Sequence, residues 1–333
     1  MTAEAGGGAG PLPVPPPELI RRIGSDDAAT FESEGRTIAA DLLRILPQGW
    51  AAGDRRLLDF GCGSGRALRA LAERTDLDLW GCDIDGPSVR WLEEHLSPTC
   101  RAFRCDPSPP LPVPSAYFDV VMAYSVFTHI TTEWSRWLLE LHRVLNQGGL
   151  LVATFLGGPM YEMIVGETPS EDEIGMNVLV EDQSWDVGGP MVIHSPWWIR
   201  EHWGRLFHVE RLDVAGFGPP GDPSTGQGVV VMRKDGRPQV GAADLEAVRP
   251  DEVREVAALR ANISQLQRES ITFRDSCAAY RAENERLRAQ LRDAARNGAA
   301  PDAPPPPRPS LRQALAERGR GARGGRPGTG TEA

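Results

Sequence analysis

Residues 55–65 read RRLLDFGCGSG, a strand-like apolar run that closes directly into three alternating glycines. Gly61, Gly63 and Gly65 make a tight turn into the helical pattern RALRALAER at 66–74. Glycine permits positive φ and lets a ligand approach the backbone closely. In an open α/β sheet, ligands bind beyond the carboxyl ends of the strands. A second strand, LDLWGCD at 77–83, ends at Asp83, 22 residues after Gly61. A carboxylate there can accept from both hydroxyls of a ribose. A dinucleotide fingerprint needs a glycine where Arg66 stands. Asp59, just before the glycines, would face a pyrophosphate badly but suits a ligand with an amino group.

Working outward, apolar runs and helical patterns keep alternating. The helix GPSVRWLEEHL (86–96) leads to a weaker strand, CRAFRC (100–105). The strand YFDVVMAYSV (117–126) leads to the helix TTEWSRWLLELHRVL (131–145) and then to the strand LLVATFL (150–156). Such alternation predicts right-handed crossovers and a parallel sheet covered on both faces. Beyond it come a helix at 195–206 and two strands, 207–216 and 226–234, expected as an antiparallel pair at one edge.

Five segments in order, DFGCGSG, GCDID, CDPSPPLP, FDVVMAYSVFTHI and HRVLNQGGLLVATF, resemble the successive motifs of the class I S-adenosylmethionine-dependent methyltransferases. The resemblance covers residues 55–235. It implies an α/β fold: a Rossmann-like seven-stranded sheet with helices on both faces, and S-adenosyl-L-methionine as cofactor. It further implies that Gly61, Gly63 and Gly65 line the methionine portion and that Asp59 helps hold its amino group. Asp83 would bind the ribose, Ile84 would pack on the adenine, and Asp106 would accept from the adenine amino group. Tyr124 and Ser125 would sit near the sulfonium. Asp85 falls at the start of the next helix and reads as its cap.

If the acceptor is a hydroxyl, a general base helps, and histidine is the usual type. Of six histidines, His129 directly follows the fourth parallel strand, and His194 precedes SPWW and can face the same cleft. These two are the catalytic candidates; His95, His142, His202 and His208 read as structural. No His/Cys/Asp/Glu cluster has metal-ligand spacing, so no metal is expected. The long insert 157–194 is expected to wall the acceptor site, with Tyr161, Met163, Trp185, Trp197 and Trp198 as contacts. At least one of Trp197 and Trp198 should fill the core instead, and Asp26, Asp27 and Arg36 are weaker acceptor-site candidates.

Composition sets the organisation. The chain has 333 residues, about two domains' worth. Residues 1–17 and 297–333 are rich in Gly, Pro or Arg and read as disordered; 18–236 hold all nine tryptophans and would form the methyltransferase domain that the resemblance implies. Residues 242–296 lack glycine and read as one long helix, with Pro250 marking a break near its start. From Val256 its heptad places Val256, Ile263, Ser270, Cys277, Asn284 and Leu291 at a, and Leu259, Leu266, Phe273, Tyr280, Leu287 and Ala294 at d. β-Branched residues and one asparagine at a, with leucine at d, predict a parallel two-stranded coiled coil, hence a homodimer; the weak positions Ser270, Phe273, Cys277 and Tyr280 leave open an amphipathic helix docked on its own catalytic domain.

A net charge of −10 disfavours a nucleic-acid partner. The absence of a run of about 18 apolar residues predicts no membrane span. Five cysteines without a CxxC pair, and an N-terminus unlike a secretory signal, fit the cytoplasm. A second resemblance, carried by RRIGSDDAATF and HSPWWIREHWGRLF, is to methyltransferases that accompany glycosyltransferases. It makes a sugar or glycan hydroxyl the expected acceptor, with a small-metabolite hydroxyl as the alternative. The alternative of another class is a coiled-coil scaffold with a vestigial cofactor site.

Overall fold

The computed structural model describes residues 12–51, 53–166, 170–179, 189–217, 227–237, 240–249 and 251–297. Its strands are β1 (Arg56–Phe60), β2 (Asp78–Asp83), β3 (Cys100–Arg104), β4 (Phe118–Ala123), β5 (Leu145–Phe155), β6 (Met176–Leu179), β7 (Met191–His194), β8 (His208–Phe217) and β9 (Gln227–Arg233). Seven of them form one sheet in the order β3-β2-β1-β4-β5-β9-β8. The first five are parallel; β9 runs antiparallel to β5 and to β8. The edge pair expected from sequence is thus present, with β9 inside it. β1 pairs with both β2 and β4, so the strand order reverses there, the position where such sheets bind ligands.

Alternate residues explain why the sheet needs cover on both faces. Leu57, Val120, Met122, Leu150, Val152, Val229 and Val231 are buried on one side. They meet Ile38 and Leu42 of α2 (Ala28–Ile45), Leu68 and Leu71 of α3 (Arg66–Ala72), and Leu92 of α4 (Gly86–His95). Leu58, Val121, Ala123, Leu151, Ala153, Val230 and Met232 are buried on the other. There they meet Trp134, Trp137, Leu138 and Leu141 of α5 (Trp134–Val144) and Trp198 and Ile199 of α8 (Pro196–His202). α1 (Pro17–Arg22) precedes α2.

The insert after β5 is not one loop. It contains α6 (Gly158–Val165), α7 (Glu171–Ile174) and the antiparallel pair β6–β7. Their short, irregular sequences carry little periodicity; they pack together around Leu156, Tyr161, Ile174, Leu179 and Ile193.

The C-terminal segment divides near its start, around Pro250, which itself lies outside the described residues. α9 (Ala242–Glu246) ends early, and α10 (Val253–Asn297) begins after a break. Arg205 Nη1 donates to the carbonyls of Asp244, Leu245 and Ala247 at 2.6, 3.2 and 2.7 Å, satisfying the carbonyl end of α9 and removing the drive to continue. The chain divides into two compact units, Met1–Leu259 and Arg260–Ala333. α9 and the first turns of α10 belong to the first: Glu255 accepts from His202 Nε2 at 2.6 Å, both side chains nearly fully buried. Among the described residues no helix is long and apolar enough to cross a membrane.

Candidate functional site

The glycine turn sits at the carboxyl end of β1. The amides of Gly61 and Cys62 donate to the Cys82 carbonyl at 2.8 and 3.1 Å, tying the turn to the end of β2. Gly61, Gly63 and Gly65 have φ of +80°, +52° and +82°, a region L side chains avoid. A methyl group on Gly63 would lie 2.4 Å from Ile23 Cγ2, so the residue that ends α1 sits directly over the turn. The cleft between them is lined by Ile23, Ile38, Asp59, Gly61, Gly63, Arg66 and Tyr124.

Asp59 is 3 % exposed, and its carboxylate has no hydrogen-bond partner among the described residues. Burial, then the nearby Asp83 charge, push its pKa up to about 7, with Arg66 opposing. A buried carboxylate in this state favours a cationic ligand group. Asp83 also titrates above its ordinary range, chiefly through burial. One of its oxygens accepts from the Gly63 amide at 2.7 Å and the other from the Asp85 amide at 2.8 Å. Asp83 therefore braces the turn, and each oxygen still has a lone pair for a ligand hydroxyl.

The N-terminal segment is fastened over this cleft by two polar clusters that sequence reading missed. Arg22 donates to both oxygens of Asp85 at 2.9 Å, and Ser88 Oγ donates at 2.6 Å. Asp85 does occupy the cap position of α4, but its carboxylate holds Arg22 and Ser88 rather than an α4 amide. In the second cluster Glu34 accepts from Arg66 at 2.6 Å and from Ser25 at 2.5 Å. Such pairs join elements far apart in the chain, and no local pattern marks them.

Past β4, Tyr124 packs on Phe217 and lies under the Arg66 guanidinium. Ser125 has φ of +57°. Its amide donates to Thr154 Oγ1 at 2.7 Å, and its hydroxyl accepts from Gln227 Nε2 at 3.0 Å. Thr154 in turn donates to Gln227 Oε1 at 2.5 Å. Ile84 packs, half-buried, on the core beside α5, while Asp106 is exposed just beyond β3.

The two candidate histidines part company. His129 is exposed in the turn after β4, with Nδ1 2.8 Å from the Pro190 carbonyl. That bond requires the proton on Nδ1, so the basic lone pair of the neutral ring is on Nε2. His194 is fully buried between Trp198 and Trp203, and neither ring nitrogen has a partner among the described residues. Burial lowers its pKa to about 3. It is a neutral core residue, remote from solvent, and only His129 is carried forward as a base.

The insert does dock at the ligand end of the sheet. Val192 N donates to Thr128 O at 2.8 Å and His194 N to Leu156 O at 2.7 Å. Of its expected contacts, Met163 is exposed and Tyr161 is buried within the insert's own cluster. Trp197 and Trp198 are both core residues: Trp197 donates to Glu171 O at 2.9 Å, and Trp198 stacks on His202. Trp185 lies outside the described residues. Asp27 caps α2 through the Thr30 amide, Arg36 pairs with Glu32, and Asp26 is exposed. No group of His, Cys, Asp and Glu among the described residues is placed to hold a metal.

Residues 58–153 match a family described as a methyltransferase domain. The 27-O-demethylrifamycin SV methyltransferase of Amycolatopsis mediterranei (strain S699) is 30% identical over 165 residues, covering 46% of this chain and 57% of the relative. The 2-methyl-6-phytyl-1,4-hydroquinone methyltransferase of Synechocystis sp. (strain ATCC 27184 / PCC 6803 / Kazusa) is 33% identical over 97 residues, 29% of this chain and 30% of that one. The chain thus spans 57% or less of the length of these relatives. Among solved structures, the PH0226 protein of Pyrococcus horikoshii OT3 is 16% identical, with a TM-score of 0.47 over 66% of this chain and 99% of that one.

Proposed function

We propose that this chain, a class I S-adenosylmethionine-dependent methyltransferase by its matched domain and its sheet order, methylates a hydroxyl group. The observation that carries the cofactor site is Asp59, a buried carboxylate without a hydrogen-bond partner among the described residues, lining the cleft beside the glycine turn. It suits the ammonium of the cofactor's methionine portion. Gly61, Gly63 and Gly65 let the turn close against Val126, Ile23 and Leu92, which a Cβ would strike; Asp83 would accept from the ribose hydroxyls, and Ile84 and Asp106 would serve the adenine. Tyr124, which lines the cleft, and the neighbouring Ser125 would flank the reacting end.

When bound, S-adenosylmethionine supplies a methyl group made electrophilic by a positive sulfur. The chain's task is alignment and proton removal. His129 Nε2 is the atom that would take the hydroxyl proton, with the Pro190 carbonyl holding the ring in the required tautomer.

A sugar or glycan hydroxyl remains the leading acceptor on the sequence resemblance. A small-molecule hydroxyl is the second reading, favoured by the relative whose name specifies an O-demethylated substrate. The same reading makes the chain a homodimer through the α10 heptads, and its five free cysteines suit the cytoplasm. Incubating the protein and methyl-labelled cofactor with extract from a strain lacking it tests the acceptor. Label in polysaccharide or sugar nucleotide supports the first reading, and label in the solvent-extractable fraction the second. Label confined to protein or nucleic acid refutes both. His129→Ala should lower transfer on the order of 100-fold with cofactor affinity unchanged.

A further inference from the structure

α10 is 45 residues long, about 67 Å of helix. Its apolar seam is open in the single chain: Ile263, Leu266, Phe273, Tyr280 and Leu291 are each about half exposed or more. The residues flanking that seam are sorted by charge. The e positions are Arg260, Gln267, Arg274, Arg281, Arg288 and Ala295; the g positions are Asn262, Glu269, Ser276, Glu283, Gln290 and Asn297. Every charged e residue is basic, and every charged g residue is acidic.

We infer that α10 pairs with α10 of a second copy in parallel and in register, and that the e and g charges choose this orientation. The inference rests on the parallel homodimer reading above and adds the charges that fix its orientation and register. In a parallel pair, g faces the e residue five positions later on the partner helix, so Glu269 meets Arg274 and Glu283 meets Arg288. In an antiparallel pair, e faces e and g faces g. Arginine would then oppose arginine along one side, and glutamate would oppose glutamate along the other, which is destabilising. Within one helix Glu283 already holds Arg286 at 2.6 Å, and its carboxylate has lone pairs for a second guanidinium. Asn284 at an a position favours the same two-stranded, in-register state.

Cys277, also at a, makes the geometry measurable, because the other four cysteines are buried. In register, Cys277 faces its own copy. The full-length chain is first sized by sedimentation equilibrium, then oxidised with copper-phenanthroline. A dimer is expected, with a disulfide-linked band of twice the chain mass that Cys277→Ala abolishes. Leu287→Cys in the Cys277→Ala background should restore it. An antiparallel helix pair whose dyad passes through 277 would separate the two 287 positions by roughly 30 Å, so cross-links at both sites demand the parallel arrangement. Replacing Arg274, Arg281 and Arg288 with glutamate should weaken the dimer at least tenfold, and adding Glu269→Arg and Glu283→Arg should restore it. A monomer at micromolar concentration overturns both the homodimer reading and this inference. A dimer that cross-links at only one site, or not at all, overturns the orientation alone. A dimer indifferent to the charge changes overturns the role of e and g.

Discussion

Replacing Asp59 with asparagine should move stability and cofactor affinity in opposite directions. Folding raises the carboxyl pKa from 3.8 to about 7, so the folded state holds the proton more tightly than the unfolded chain. The stability tied to this group is therefore complete below pH 3.8, declines as pH rises to about 7, and stays low above that. About three pH units at 1.36 kcal/mol each give roughly 4 kcal/mol lost by pH 8. An asparagine side chain carries no charge, so the unliganded Asp59→Asn protein should be more stable than wild type at pH 8, by up to about 4 kcal/mol, with the gap closing by pH 4. S-Adenosylhomocysteine, which has the same ammonium group, should reverse the ranking. Losing one partner of a buried ion pair costs about 3–5 kcal/mol, so the variant should bind it at least 100-fold more weakly. Wild-type affinity should climb about tenfold per pH unit up to about pH 7 and then level off, while the variant's profile stays flat. Urea unfolding at pH 4 and 8, with calorimetric titration from pH 5.5 to 8.5, measures both quantities. A variant that binds with wild-type affinity and pH dependence would refute the assignment of Asp59 to the ammonium. A variant no more stable than wild type at pH 8 would refute the burial argument behind it.

Three further outcomes are expected. Gly63→Ala, which forces a methyl to 2.4 Å from Ile23 at φ +52°, should destabilise the fold by about 1–3 kcal/mol in urea, and Ile23→Ala should recover only the steric part. His194 has a folded pKa near 3 against an ordinary 6.5, so its neutral form contributes stability that is full above pH 6.5 and lost as pH falls. His194→Leu should therefore soften acid unfolding, by about 2 kcal/mol at pH 5, in a comparison of urea midpoints at pH 5 and 7.5. His202→Ala leaves the Glu255 carboxylate buried without its partner and should lower the urea midpoint by about 3–5 kcal/mol of stability, an effect that Glu255→Gln made in the same chain should reduce.

Motifs that act through consecutive residues were readable. The glycine turn, the acid at the end of β2 and the alternation of strand and helix all follow from local spacing, and each appears where spacing put it. The insert was not readable as structure, because α6, α7 and the β6–β7 pair are too short for periodicity to separate from loop. His129, after the fourth parallel strand, and His194, before SPWW, were both candidates for the same cleft in sequence. Only packing parts them: one is exposed at Pro190, and the other is enclosed by Trp198 and Trp203.

The sequence alone determined the sheet, its glycine turn and the heptad of α10, because periodicity and glycine chemistry are properties of neighbouring residues. The tertiary structure alone decided what closes over the cleft and which charges meet. Arg22 reaches Asp85 across 63 residues, Arg66 joins Glu34, Ile23 covers Gly63, and Asp59 is left buried beside the turn. These are encounters between distant segments, and burial sets their electrostatic strength; neither distance nor burial is written in the order of the residues.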